Sequence, residues 1–362
     1  MQLRVLDLSR VLAGPFCSMI LADLGADVIK VERPGSGDET RGWGPPFDQN
    51  GESAYFLSVN RNKKSIAIDL TAKADRDLLL NLIAEADVVL ENFLPGALRK
   101  LGIDAPRQLE KNPRLVWCTI TGFGADSRRP GYDFVIQAES GWMSITGERD
   151  GQPMKVGVAL ADVLAGKDAA IAILAAIAER DSGARDPSRR HVVISLEASA
   201  IASLVNVAQN VLVSGEDAPR WGNAHPNLVP YQLFEAADRP FVIAVGSDAQ
   251  WQQCAKALGL TDLAGDATLV TNAGRVANRE RVVSEISRRA RENSARYWID
   301  RLDAGGVPCG LVRSVGEALA GTGSDAVTGV PPSVPGVVKT PPPRLDEHGD
   351  SIRKLGWRAF KP

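Results

Sequence analysis

The opening stretch of the chain constrains the fold more than any other feature. Residues 3–8 read Leu-Arg-Val-Leu-Asp-Leu, Ala13 to Leu24 is rich in helix formers, Gly25 stops that run, and Asp27 to Glu32 reads Asp-Val-Ile-Lys-Val-Glu. Short apolar runs of this kind are strands, and a strand–helix–strand unit lays its two strands parallel because the helix carries the chain back to the starting edge. The alternation continues, with strands expected at 65–69, 87–92 and 115–121 and a helix at 74–85. A parallel sheet needs cover on both faces, so the expected fold is α/β with a large Rossmann-like open parallel-sheet domain. Asp162 opens a helix from Val163 to Arg180 that is apolar nearly all round, as a buried helix is. It ends in a charged loop, Asp181 to Arg190, broken by Gly183 and Pro187. A strand at 191–196 and a helix at 197–213 follow.

After Ser214 the texture changes. A loop at 215–230 leads into short strands at 231–234 and 240–245, then helices at 249–258, 275–291 and 295–302, a pattern expected of a smaller α+β domain. Residues 330–343 are proline-rich and suit an extended connector. With 362 residues, 44% of them apolar, there is enough material for two cores. The net charge of −2 gives no overall attraction to nucleic acid or to anionic lipid. No apolar stretch approaches the ~20 residues that span a bilayer, and the first residues lack the apolar core of a signal peptide, so a cytoplasmic protein is expected. Cys17, Cys118, Cys254 and Cys309 stand far apart in apolar surroundings and read as buried thiols. His191, His225 and His348 have no metal-ligand spacing. Neither a G-x-S-x-G elbow nor a G-x-x-x-x-G-K-[ST] loop occurs, which removes the commonest hydrolase and P-loop readings.

The first strand–helix turn lacks the G-x-G-x-x-G of dinucleotide enzymes. Leu12-Ala13-Gly14-Pro15-Phe16 offers one glycine and then a proline, so the architecture is supported and a nicotinamide cofactor is not. Arg33 and Arg41 follow the second strand, where ligands of such sheets gather. They read either as phosphate ligands or as solvated loop arginines. Asp162 reads as an N-cap of the long helix or as a nucleophile. The roles are compatible, since a carboxylate at a helix N-terminus is expected to stay ionised and only the ionised form attacks a thioester. Ala165 and Gly166 leave room for a ligand or for a close-packed helix.

Several longer blocks carry a resemblance. Val11-Leu12-Ala13-Gly14-Pro15 is followed by the run from Leu24 to Gly35, Leu-Gly-Ala-Asp-Val-Ile-Lys-Val-Glu-Arg-Pro-Gly, with Gly37-Asp38. Asn60 to Ser65, Glu91 to Gly96, Thr121 to Gly124, Tyr132-Asp133 with Gln137, Gly141 to Gly147, Ser195 to Ala198, Asn227 to Tyr231 and Gly306 to Gly310 complete the set. Together these resemble the class III CoA-transferases (CaiB/BaiF type), which include formyl-CoA transferase and the carnitine CoA-transferases, over essentially the whole chain. The resemblance implies that Asp162, in Ala159-Leu160-Ala161-Asp162-Val163-Leu164-Ala165-Gly166, is the nucleophile. It implies contacts to coenzyme A from Val11, Leu12, Ala13, Arg33, Ile68, Asp69, Asn92, Phe93, Lys100 and Tyr132. Where the formyl-CoA enzyme has Arg, Lys100 keeps the charge without the bidentate fork. Coenzyme A and acyl-CoA are then substrates, with no permanently bound cofactor or metal.

The implied reaction moves CoA from an acyl-CoA to a free carboxylic acid, small dicarboxylic acids such as succinate being the expected kind. Gln137, Trp142 and Met143 read either as lining for the acyl group or as core. The resemblance also implies an interlocked homodimer, with residues 1–214 and 313–362 building the large CoA-binding domain and 215–312 the small one. Neither nucleic acid nor membrane is an expected partner. Two departures bear on function. The 2-methylacyl-CoA racemases of the same superfamily have Gly-His-Asp where this chain has Gly131-Tyr132-Asp133, and tyrosine holds its proton at neutral pH, which argues for transfer over racemisation. The run of four glycines of formyl-CoA transferase is missing, which argues against a formyl/oxalate pair. A racemase-like isomerase and a non-catalytic acyl-CoA-binding protein are the alternatives.

Overall fold

The computed structural model describes residues 3–183 and 186–361. By contacts the chain forms two compact units, one of residues 1–143, 155–216 and 319–362, the other of 144–154 and 217–318. The sequence expectation put residues 144–154 in the large domain; their contacts place them in the second unit.

The first unit is built on six parallel strands: β1 (Arg4–Asp7), β2 (Asp27–Glu32), β3 (Lys63–Ala67), β4 (Val88–Glu91), β5 (Val116–Thr121) and β6 (His191–Ser195). Their order is β3-β2-β1-β4-β5-β6, the expected doubly wound α/β sheet. β1 pairs with β2 on one side and β4 on the other. The strand order therefore reverses beside β1, and a crevice opens past the carboxyl ends of β1 and β4, where sheets of this kind hold ligands. Buried Val, Ile and Leu run through β1, β2 and β4, and β2 buries Lys30 and Glu32 as well, as cover on both faces of the sheet requires.

One face is covered by α1 (Ala13–Asp23) and by the 22-residue helix α5 (Leu160–Asp181), with α2 (Lys73–Glu85), α3 (Ala105–Lys111) and α4 (Asp133–Glu139) between them in sequence. Helices α1 and α5 share one core with Cys17, Leu21, Ala165, Ala169 and Ile173. They meet at Gly166, where a Cβ atom would lie 2.6 Å from the Ala13 carbonyl oxygen. Gly166 thus serves close helix packing rather than ligand space. The helix expected at 197–213 is broken into α6 (Leu196–Ala202) and α7 (Val205–Ser214), bent by 70°. Val205 takes a left-handed φ of 41° at the break, which no propensity argument foresees. Residues 330–343 form no regular element, and Arg61 and Asn62 fasten them: Arg61 donates to the Thr328 and Val330 carbonyls, and Asn62 to that of Val337. Of the charged loop before β6, Ala184 and Arg185 lie outside the described residues.

The second unit carries an antiparallel sheet of β7 (Tyr231–Glu235), β8 (Pro240–Ala244) and β9 (Cys309–Leu311). The third strand was not expected; its three residues are too few to show a period. Helices α8 (Asp248–Ala257), α9 (Arg279–Ala290) and α10 (Ala295–Ala304) pack on it through Trp251, Ile286 and Trp298. The helix expected at 275–291 is interrupted at Asn278, so that Arg275 lies within a separate short helix, Asn272–Ala277. There the buried Arg275 guanidinium donates to the carbonyls of Val229, Leu269 and Val270 and to Asp248. Cys17, Cys118 and Cys254 are buried and Cys309 half-buried, all four as free thiols. Among the described residues no single helix is long and apolar enough to cross a membrane.

Candidate active site

Two cavities open along the crevice of the first unit. One, of about 370 Å³, lies past β2 and β3 and is lined by Val31, Arg33, Ile68 and Asp69. The other, of about 220 Å³, lies past β1 and β5 and is lined by Val11, Leu12, Ala13, Asn92, Tyr132 and Asp162. Arg10 and Phe93 line both, with the Arg10 guanidinium 5.4 Å from the centre of the Phe93 ring. Ten of the eleven residues singled out from the sequence therefore gather in two adjoining hollows. Lys100 is the eleventh; exposed at the end of the short helix Ala97–Lys100, it lines neither.

The turn after β1 is held in an unusual shape. Val11 has a φ of 71°, costly for a β-branched residue, and the turn keeps it because side chains clamp the backbone on both sides. The Asn92 side chain accepts from the Arg10 N–H at 3.0 Å and donates to the Arg10 carbonyl at 2.8 Å. Asp38 accepts from the Val11 N–H at 3.3 Å, and the buried Lys30 ammonium donates to Asp38 at 2.9 Å and to the Ser9 carbonyl at 3.1 Å. Asn92 thus spends its amide on the turn. Asp69 likewise spends its carboxylate on the N–H and hydroxyl of Thr71. The Arg10 Nε is buried and makes no hydrogen bond among the described residues, while its Nη1 pairs with Glu39.

Asp162 is the third residue of α5 and half-buried. It does not cap the helix: the N-cap is Ala159, which has no capping side chain. Asp133 does this work from α4, its Oδ1 accepting from the Ala161 N–H at 2.8 Å while its Oδ2 accepts from Gln137 at 2.7 Å. Gln137 also bonds the backbone at Val156 and Val158, and Trp142 donates to the Ala200 carbonyl, so both are packing residues. Among the described residues nothing hydrogen-bonds the Asp162 carboxylate. Burial, and then the Asp133 charge, push it up to about 7. The expectation that the helix N-terminus would keep it fully ionised is therefore corrected: desolvation and a like charge outweigh the dipole.

The sequence reading missed three neighbours. Tyr55 is pushed up to about 12 by burial and by the charges of Asp162, Asp133 and Asp38, which places its phenol in the same electrostatic environment. Glu39 and Arg129 line the smaller cavity. Arg129 sits on a loop whose return is fixed by two glycines: a Cβ on Gly131 would lie 2.3 Å from the Gly122 Cα. Tyr55 and Glu39 sit on four-residue helical turns and Arg129 on a loop, segments too short to carry a periodic signal.

A half-buried carboxylate without a hydrogen-bond partner among the described residues thus stands at the head of a long helix, on the wall of a ligand crevice of an α/β sheet. The chain belongs to CoA-transferase family III, whose family model matches residues 1–332, and it is an enzyme of that class. It is 42% identical to the mouse succinyl-CoA:glutarate CoA-transferase over 88% of this chain and 72% of that one. It is 41% identical to a succinate–glutarate CoA-transferase of Agrobacterium fabrum, over 88% and 81% of the two chains. A solved CAIB/BAIF family protein from Brucella suis superposes with a TM-score of 0.85 at 39% identity, covering 97% of each chain.

Proposed function

We propose that the enzyme transfers CoA from an acyl-CoA donor to a free carboxylic acid through a thioester on Asp162. The observation that carries this reading is the unpartnered Asp162 carboxylate in the cavity that adjoins, across Arg10 and Phe93, a second and larger one. An elongated thioester with its nucleotide end past β2 and its acyl end past β5 suits both. The larger hollow offers Leu8, Val31, Ile68 and Leu101 to a flat base and Arg33 to phosphate. Arg10 lies on the path between, with its buried Nε available to an acceptor.

Asp162 attacks the donor carbonyl carbon, breaking the C–S bond to give a mixed anhydride and the CoA thiolate. The thiolate attacks the Asp162 carbonyl carbon and expels the donor acid as its carboxylate, leaving aspartyl-CoA. The acceptor carboxylate attacks this thioester to form a second anhydride and release the thiolate again. Attack of that thiolate on the acceptor acyl carbon yields the new acyl-CoA and frees Asp162. No proton is gained or lost overall, and every step is an acyl transfer between activated groups. The raised affinity of Asp162 for protons fits a nucleophile whose charge is poorly solvated and hence reactive, and Tyr132 in place of histidine fits transfer rather than racemisation.

The acids are proposed to be small dicarboxylates, as in the names of the succinyl-CoA:glutarate and succinyl-CoA:mesaconate relatives. The working form is proposed to be the interlocked homodimer. Helix α7 supports this: none of its residues is buried, and Val205, Leu212 and Val213 are 69–77% exposed in the single chain. The cytoplasm is the proposed location.

Intact-protein mass spectrometry after incubation with succinyl-CoA and other short acyl-CoAs tests the reading. A CoA-sized adduct on the wild type that is absent from Asp162→Asn is expected. Deuterium exchange at the α-carbon of a 2-methylacyl-CoA without an adduct would instead identify an isomerase.

A further inference from the structure

We infer that Arg129 is the specificity-determining residue that holds the distal carboxylate of a dicarboxylic acid in the Asp162 cavity. The inference rests on the transferase reading above and names the group that selects the acid.

Among the described residues, two cationic side chains line this cavity, Arg10 and Arg129. Arg10 also lines the larger hollow, is paired with Glu39 and lies against Phe93, so it belongs to the path shared by every CoA ester. Arg129 lines only the cavity of Asp162, with Gly131 and Tyr132 beside it on the same loop. Its guanidinium is fixed from two directions. It stacks 4.0 Å from the centre of the Phe123 ring, and Nη2 donates to Glu139 at 2.5 Å. Among the described residues Nε and Nη1 have no hydrogen-bond partner, which leaves part of the planar fork for an anion. Glu197 is its other acidic neighbour.

A dicarboxylate that presents one carboxyl to Asp162 must bring its second, charged carboxyl into the same hollow. A charge removed from water needs a counter-charge, and a guanidinium pre-set by stacking and by one ion pair supplies it with little loss of side-chain freedom. A monocarboxylate of equal length has no use for Arg129.

The test compares glutarate with valerate as acceptors at saturating succinyl-CoA, because kcat/KM for the acceptor then reports only the second half of the exchange. The wild type is expected to favour glutarate. Arg129→Gln should lower kcat/KM for glutarate about 10- to 100-fold, mostly through KM, the loss anticipated for one charged hydrogen-bonded contact, and leave valerate within about twofold. Arg129→Lys should recover part of the preference. Thermal melting of Arg129→Gln should match the wild type, since the side chain is 57% exposed. An unchanged glutarate-to-valerate ratio in Arg129→Gln, or equal losses for both acids, would overturn the assignment. A wild type that transfers CoA to both acids without preference would overturn it too while leaving the transferase reading intact. A wild type that transfers to neither acid and forms no adduct would overturn both.

Discussion

The first unit treats its buried Asp7 and Asp38 and its half-buried Asp162 in opposite ways. Around Asp7 and Asp38 every charge has a partner. Asp38 meets Lys30 at 2.9 Å, Asp7 meets Lys63 at 3.3 Å, and Ser9, Ser18 and Thr40 add hydroxyl donors. Burial alone would raise both acids, but the lysines and these donors outweigh it and hold them below their ordinary range. Asp162, on the other side of the turn that these residues clamp, has no cationic or hydrogen-bonding partner among the described residues and is pushed up to about 7. The paired set fixes the backbone of the ligand crevice. The unpaired carboxylate lines the smaller cavity. Buried charge is tolerated in a fold when it is paired, and an unpaired one at a cavity wall points to chemistry.

The largest effect that tests this contrast is on activity. Asp162→Asn keeps the shape but removes the proposed nucleophile, and turnover is expected to fall by at least about 10³-fold with the protein still folded, as read by steady-state transfer and circular dichroism. The next is on stability. Lys30→Met strips Asp38 and the Ser9 carbonyl of their partner inside the protein, and the cost should be about 3–5 kcal/mol by chemical denaturation. If Lys30→Met were neutral, the paired cluster would not be the scaffold described.

The two sets also respond to pH with opposite sign. A carboxyl whose affinity for protons is raised on folding binds protons in the native state between pH 4 and 7 that the unfolded chain has lost, so stability falls as pH rises through that window. Asp162→Asn should therefore be more stable than the wild type at pH 8 and equal to it below pH 4, by up to about 1.4 kcal/mol per pH unit of the shift. Asp38, whose affinity is lowered, stabilises the native state above its unfolded value and loses that contribution in acid. Asp38→Asn should accordingly be destabilised at pH 8, and less so below pH 4. Because attack needs the ionised form, kcat/KM for the donor should climb with pH and level off above about 7. A profile already flat from pH 5 would mean that Asp162 is solvated like a surface carboxylate. The smallest effect is Glu139→Gln, which frees Arg129 without removing it; the preference for glutarate over valerate should shrink by about two- to fivefold.

Much of this was legible in the residues themselves. Apolar runs bounded by glycine and polar loops gave β1, β4 and β5 within one or two residues, because strands buried on both faces leave a near-continuous pattern, and β2 was legible through Val28, Ile29 and Val31 although Lys30 and Glu32 interrupt it. The motif blocks singled out Asp162 and the residues of the two hollows. What the pattern did not contain was set by neighbours distant in sequence. Asp162 has the spacing of a cap, yet Asp133 from α4 takes the capping bond, 28 residues away, and leaves Asp162 unpartnered. Asn92 reads like a ligand contact and is spent on the backbone of Arg10, 82 residues away. The single apolar run at 197–213 conceals a 70° bend. Local pattern determines which segments are strands or helices, since propensity and burial act over a few residues. Which carboxylate is paired and which is left bare depends on the packing of β1, α4 and α5 in space, because hydrogen bonds and desolvation are settled only by what the fold brings within a few ångströms.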